Sequence, residues 1–184
     1  MSIYNITFDW SVRTFTPDLQ EPEKQNVYDS FGFGRALMKT WKPFFLTGLL
    51  SDDQKIVPIG HFFTIFSSAA FGVTPKAIEV QGVRDELLRC GELLPVEYEK
   101  ETFWVFNCLN VVDALDQKQS EIIVCDNGHR YVDRKVFKND LVVPQWFFCI
   151  KESRANTFAT QRFFDFYNEH QMTGLIFTRQ KFAA

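Results

Sequence analysis

TPKAIEVQGVRDELLRCGELLPVEYEKETFWVFNC, residues 74–108, reads as a helix followed by two strands, and the rest of the fold hangs on it. Thr74-Pro75 is a helix start: a hydroxyl cap, then proline at the first helical position, where its missing N–H costs nothing. Ala77, Val80, Val83, Leu87 and Leu88 recur at helical spacing, with Gly82 the weak point inside the pattern. Gly91 after Cys90 is expected as a left-handed stop. Residues 93–98 then form an apolar strand, Glu99-Lys100-Glu101 a charged turn, and residues 102–108 a second strand. In that strand Phe103 and Val105 alternate with Trp104 and Phe106. Both faces are apolar, which places the strand at the centre of a sheet.

Downstream, residues 111–115 read as one helical turn. Residues 120–125 and 131–137 form a hairpin around Asp126-Asn127-Gly128. Residues 141–150 read as a strand in which Pro144 demands an edge or a bulge. Thr160 is placed to cap a last helix through His170, whose apolar face is Phe163, Phe164, Phe166 and Tyr167. Gly174 opens a closing strand, 175–178. Upstream, Ile3–Phe8 is a strand, residues 14–25 an exposed Pro-containing loop, and residues 35–41 a short helix stopped by Pro43. This order predicts an α+β fold, a mostly antiparallel sheet with helices packed on one face. Residues 1–73 are expected as an N-terminal lobe on a core of residues 74–184, the two forming one compact unit.

The 184 residues suffice for one domain with a sizeable core. Phenylalanine, present 21 times, should dominate that core, and any left outside would anchor a partner. A net charge of −3 argues against a dedicated nucleic-acid binder, although an excess this small also describes many enzymes. Cys90, Cys108, Cys125 and Cys149 contain no C-x-x-C pair and are expected as reduced core thiols. The first residues show no secretory leader pattern, which with the thiols points to the cytoplasm. Residues 56–75 lack Asp, Glu, Lys and Arg, but Pro58, Gly60, Gly72 and Pro75 suit a buried segment with a turn better than a membrane span.

Catalytic signals are few. His61, His129 and His170 show no metal-ligand spacing, and Cys125 with His129 lacks a second ligand pair. Phe31-Gly32-Phe33-Gly34 lacks the remainder of a phosphate cradle, and Ser67-Ser68 has no neighbouring base. Asp113 and Asp116 followed by Asp133 and Lys135 form the loose pattern of a metal-dependent hydrolase, with two carboxylates for Mg²⁺ and a lysine for the phosphate or water. The plainer reading is that Asp113 and Asp116 cap a turn while Asp133, Arg134 and Lys135 lie on a solvated face.

Three segments carry a resemblance. GELLPV at 91–96, FNCLNVVDALD at 106–116 with SEI at 120–122, and the ending with Phe163, Phe164 and MTGLIF at 172–177 together resemble bacterial immunity family eleven. That family, formerly of unknown function, comes from polymorphic toxin systems. The resemblance spans roughly residues 74–177. It implies an α+β protein that neutralises a cognate protein toxin by stoichiometric binding, with no cofactor, metal, nucleic acid or membrane partner. Such an interface would bury roughly 1,200–2,000 Å² around a few aromatic or Arg anchors.

Asn107, Asn110, Asp113, Asp116, Ser120 and Gly174 are read as holding the fold, because short polar side chains around a strand-to-turn transition bond backbone groups readily. Toxin contact is their second reading. Trp10, Trp41, Asp52, Asp53, Glu97, Glu99 and Glu101, aromatics and acids outside that series, are the expected contact residues.

Overall fold

A computed structural model describes residues 2–20, 23–31, 35–49, 57–65, 70–124 and 130–183. The chain opens with β1 (Ile3–Phe8), β2 (Phe15–Pro17), α1 (Glu23–Ser30) and β3 (Leu46–Gly48). Next come β4 (Phe62–Phe63), β5 (Ala70–Val73), α2 (Pro75–Ile78) and α3 (Val83–Cys90). The middle holds β6 (Gly91–Tyr98), β7 (Glu101–Cys108), β8 (Val111–Val112), β9 (Glu121–Val124), β10 (Arg130–Arg134) and β11 (Val136–Phe137). Last are β12 (Phe147–Ile150), β13 (Ser153–Thr160), α4 (Gln161–Glu169), β14 (Leu175–Arg179) and β15 (Lys181–Phe182).

The doubly apolar strand β7 is indeed central, in a sheet ordered β4-β5-β7-β6. A second sheet runs β14-β1-β13-β12-β8. Three two-stranded pairs, β2-β3, β9-β10 and β11-β15, accompany them. Among these strand pairs only β8 with β12 and β11 with β15 are parallel. The architecture is therefore strand-rich α+β, mostly antiparallel, with four short helices among the described residues. No helix among the described residues is long and apolar enough to cross a membrane.

Alternation along the strands distributes the core. From β7, Phe103 and Val105 enter one buried cluster with Phe15, Phe44 and Leu46, while Phe106 and Cys108 enter another. That second cluster joins both sheets, taking Tyr4, Ile6, Phe147 and Ala159 together with Ala77, Val83 and Leu87 of α2 and α3 and Phe163 and Tyr167 of α4. A third gathers Ile3, Phe148, Ile150 and Phe158 around Phe137. Ten of the twelve largest fully buried side chains are phenylalanines, so this residue type supplies the core as expected. Each contributes roughly 1.5–3 kcal/mol by burial.

The helix expected over 74–90 is two helices. Gly82 adopts φ +87°, a left-handed conformation that any side chain would strain, and α3 restarts from it. Gly91 is not a left-handed stop: its backbone is extended, and a Cβ there would lie 2.0 Å from the Asn107 carbonyl oxygen. It is glycine because β7 passes too close for anything larger. Neither Thr74 nor Thr160 caps its helix with its hydroxyl. Thr74 Oγ1 instead donates to the carbonyls of Gly60 and His61, and Thr160 Oγ1 to those of Gln145 and Trp146. Both threonines lock the preceding strand to its surroundings.

Other expectations also change. Residues 35–41 are irregular, not helical, because their amides are taken by a side chain described below. The segment 14–25 is not simply an exposed loop: Phe15 is buried and β2 pairs with β3. Residues 111–112 form β8, not a helical turn, paired with β12. In 141–150 only the last four residues form a strand, and Pro144 precedes it in irregular chain. In the β9–β10 hairpin the register slips between Val132 and Arg134. The long strand β13 is absent from the sequence reading. Asp126–Gly128, with Cys125 and His129, lies outside the described residues, as do 32–34 and Ser67-Ser68.

Gly174, at the start of β14, has φ +107°, and a Cβ there would stand 1.9 Å from the Phe62 carbonyl oxygen. The Phe62 amide donates to the Thr173 carbonyl at 3.0 Å. The T-G pair of the closing element thus holds β14 against β4.

Candidate functional site

Polar residues of the signature sit where the chain crosses from one sheet to the other. Asn107 is buried on β7, and its Nδ2 donates to Glu92 Oε1 at 2.8 Å and to the Arg35 carbonyl at 2.9 Å. Glu92, buried on β6 directly opposite, also accepts the amides of Leu37 at 2.5 Å and Met38 at 3.1 Å. A buried carboxylate is tolerated when several N–H donors converge on it. This one ties residues 35–38 to the sheet. The sequence reading quoted Glu92 within GELLPV but gave it no role, although an acid inside an apolar strand was the available signal.

Two residues on, the Leu109 and Asn110 amides both donate to the Cys90 carbonyl, and the Asn110 carbonyl receives the Cys149 amide at 2.8 Å. Asn110 Nδ2 reaches the Phe147 carbonyl at 2.9 Å. Asn110 is therefore the joint between β7 and β12. Asp116 Oδ1 accepts the amides of Lys118 and Gln119, the turn-capping role expected of it. Ser120 Oγ exchanges hydrogen bonds with the backbone of Val136.

Asp113 caps no turn among the described residues. It is exposed, and its two oxygens pair with Lys138 at 3.1 Å and Lys151 at 2.9 Å. The Lys151 bond, then the Lys138 bond, hold its carboxyl below the usual range. Asp133 is exposed on β10, and half-buried Lys135 donates to the Val132 carbonyl. Asp113 is thus satisfied by ammonium groups and Asp116 by amides, and no three acids, histidines or cysteines gather as a metal site among the described residues. Burial raises the Cys90 thiol, and Cys108, hydrogen-bonded to the Cys149 thiol and buried, lies well above its ordinary value. These free thiols are protonated packing groups at neutral pH.

The expected contact residues divide. Trp10 is 73% exposed, and Glu97, Glu99 and Glu101 are exposed around the β6–β7 hairpin. Trp41 is half-buried: its Nε1 donates to the Pro95 carbonyl and its ring packs on Phe31 and Phe44. Asp52 and Asp53 lie outside the described residues. A further exposed aromatic, Phe45, is 60% exposed and bridges β6 beside Glu97. Its partner strand sets it there, because Leu46 points inward and its neighbours must point out.

Comparison with known proteins places these residues in context. None of the curated proteins matches the chain. The model of the Immunity protein family (Imm11) matches residues 95–181, from the middle of β6 to β15. The match takes in Asn107, Asn110, Asp113, Asp116, Ser120 and Gly174, while α2, α3 and Glu92 precede it. From Pro95 to Lys181 the chain carries the Imm11 immunity protein family segment, the family its motifs resemble.

Proposed function

We propose that this chain is a bacterial immunity protein of a polymorphic toxin system, binding a cognate protein toxin one-to-one and neutralising it without chemistry of its own. The observation that carries this reading is the Imm11 match over residues 95–181. The engagement of Asp113 and Asp116 by lysines and amides supports a structural role for the acids that an enzyme would have needed free. The partner is a protein rather than a nucleic acid or a membrane, and the site of action is the cytoplasm. Toxin contact falls on Trp10, Glu97, Glu99 and Glu101, with Phe45 beside them. Residues 1–73 form a lobe on the 74–184 core, and α2, α3 and α4 make one layer of helices, a view supported by their shared buried cluster.

Co-expression with the toxin encoded beside it tests the reading. Growth is rescued and the two proteins co-purify. Rescue without any complex refutes a binding mechanism.

A further inference from the structure

We infer that the toxin docks on the outer sheet face centred on Phe45 and lays a basic side chain, lysine or arginine, across that ring, an inference that rests on the toxin-binding reading above.

The backbone builds this face before any partner arrives. The Asp18 amide donates to the Phe45 carbonyl at 2.8 Å, which carries the β2–β3 pairing one residue past Pro17. On the other side the Glu97 amide donates to the Phe44 carbonyl at 2.9 Å, and Phe45 bridges Glu97 of β6. Asp18, Phe45 and Glu97 therefore form one row across three neighbouring strand segments. Side chains in register across a sheet share a face. The alternation agrees, because Pro17, Phe44, Leu46, Val96 and Tyr98 are buried while all three members of the row are exposed. Thr47 and Leu49 follow Phe45 at every second residue and are exposed beside it. An exposed phenylalanine whose main chain is held from both sides is a pre-organised anchor, with little ordering left to lose on binding.

Geometry and charge select the occupant. The segment carrying Phe45 already has a neighbour along each edge, so an added strand finds nothing to pair with there, and the partner meets side chains. A second copy packed by two-fold symmetry would set Asp18, Glu97 and Glu99 against like charges. Arg13, the cation behind this face, is turned to the Tyr98 hydroxyl and the Val57 carbonyl. A cation on the Phe45 ring meets its π face, with a carboxylate about one strand spacing, roughly 5 Å, to either side. A neutral or acidic surface gains neither contact.

The test is calorimetric titration of the full chain with the cognate toxin at low and high salt. Phe45→Ala and Asp18→Lys/Glu97→Lys each weaken binding roughly 30-fold or more. The isosteric Asp18→Asn/Glu97→Gln variant weakens it roughly tenfold and flattens its salt dependence. Asp165→Lys/Glu169→Lys, an equal charge change at exposed positions of α4, leaves the affinity within about twofold of the parent. Unchanged affinity in the Phe45 or Asp18/Glu97 variants, or equal weakening in the α4 variant, overturns the inference while leaving toxin binding intact. A parent chain that dimerises alone and separates on Phe45→Ala also overturns it, because a second copy then covers the face. Failure of the parent chain to bind the toxin refutes the functional reading itself.

Discussion

Asn107 Nδ2 donates to Glu92 Oε1 at 2.8 Å, and both side chains are buried between two strands and the irregular segment 35–38. Replacing Asn107 by Ala removes two bonds and leaves a buried carboxylate short of a donor, at a loss of about 2–3 kcal/mol. Glu92→Ala strands the amides of Leu37 and Met38 and loses a similar amount. Urea unfolding measures both. In each variant trypsin should also cut faster at exposed Arg35 and Lys39, and unchanged cleavage would mean that the acid does not hold the segment.

Two left-handed glycines should respond very differently to alanine. Gly174→Ala drives a Cβ into the Phe62 carbonyl and is expected to lose about 3 kcal/mol or more, or to prevent folding. Gly82→Ala meets nothing within 4 Å and should lose only about 1 kcal/mol. Thermal or urea unfolding of the pair decides, and equal losses would contradict the account of the T-G element.

His61 predicts a pH dependence. Burial, then the charge of Lys76, lowers its pKa from 6.5 to about 4, and its Nδ1 accepts the Thr173 amide at 3.1 Å. The folded chain therefore keeps the ring neutral, its remaining proton on Nε2, where the unfolded chain would protonate it. The contribution is fully present above pH 6.5 and fades as the pH falls towards 4. It amounts to roughly 2 kcal/mol after allowance for solvent near the ring. His61→Gln should flatten this part of the stability–pH curve relative to the parent. A parent and variant with parallel curves would count against it.

The exposed hairpin acids should act on toxin capture more than on retention. Charge reversal at Glu97 and Glu99 is expected to slow association about tenfold at low salt and much less at high salt, because exposed charges steer encounter. Phe45→Ala should leave stability nearly unchanged and speed dissociation. Surface plasmon resonance separates the two rates, and variants indistinguishable from the parent would move the contact surface elsewhere.

Legibility from sequence followed local physics. The hairpin of β6 and β7 was readable because its apolar residues alternate on both faces, and α4 because four aromatics recur at helical spacing. Asp116 was readable as a turn former from its own chemistry. What failed depended on distant neighbours. Gly91 is extended because Asn107 lies against it, and Thr74 and Thr160 bond carbonyls far along the chain instead of their own helices. Strand β13 opens with polar Ser153 and Arg154, so only its place between β1 and β12 makes it a strand. Asp18, Phe45 and Glu97 share one row although they come from three separate segments, which no local pattern encodes.

The central claim is stoichiometric neutralisation, and titrating the purified chain into a fixed amount of active toxin tests it most directly. Toxin activity should fall linearly and reach background at one equivalent, with a 1:1 complex by light scattering. Neutralisation complete at a small fraction of an equivalent, or inhibition with no complex, would contradict it.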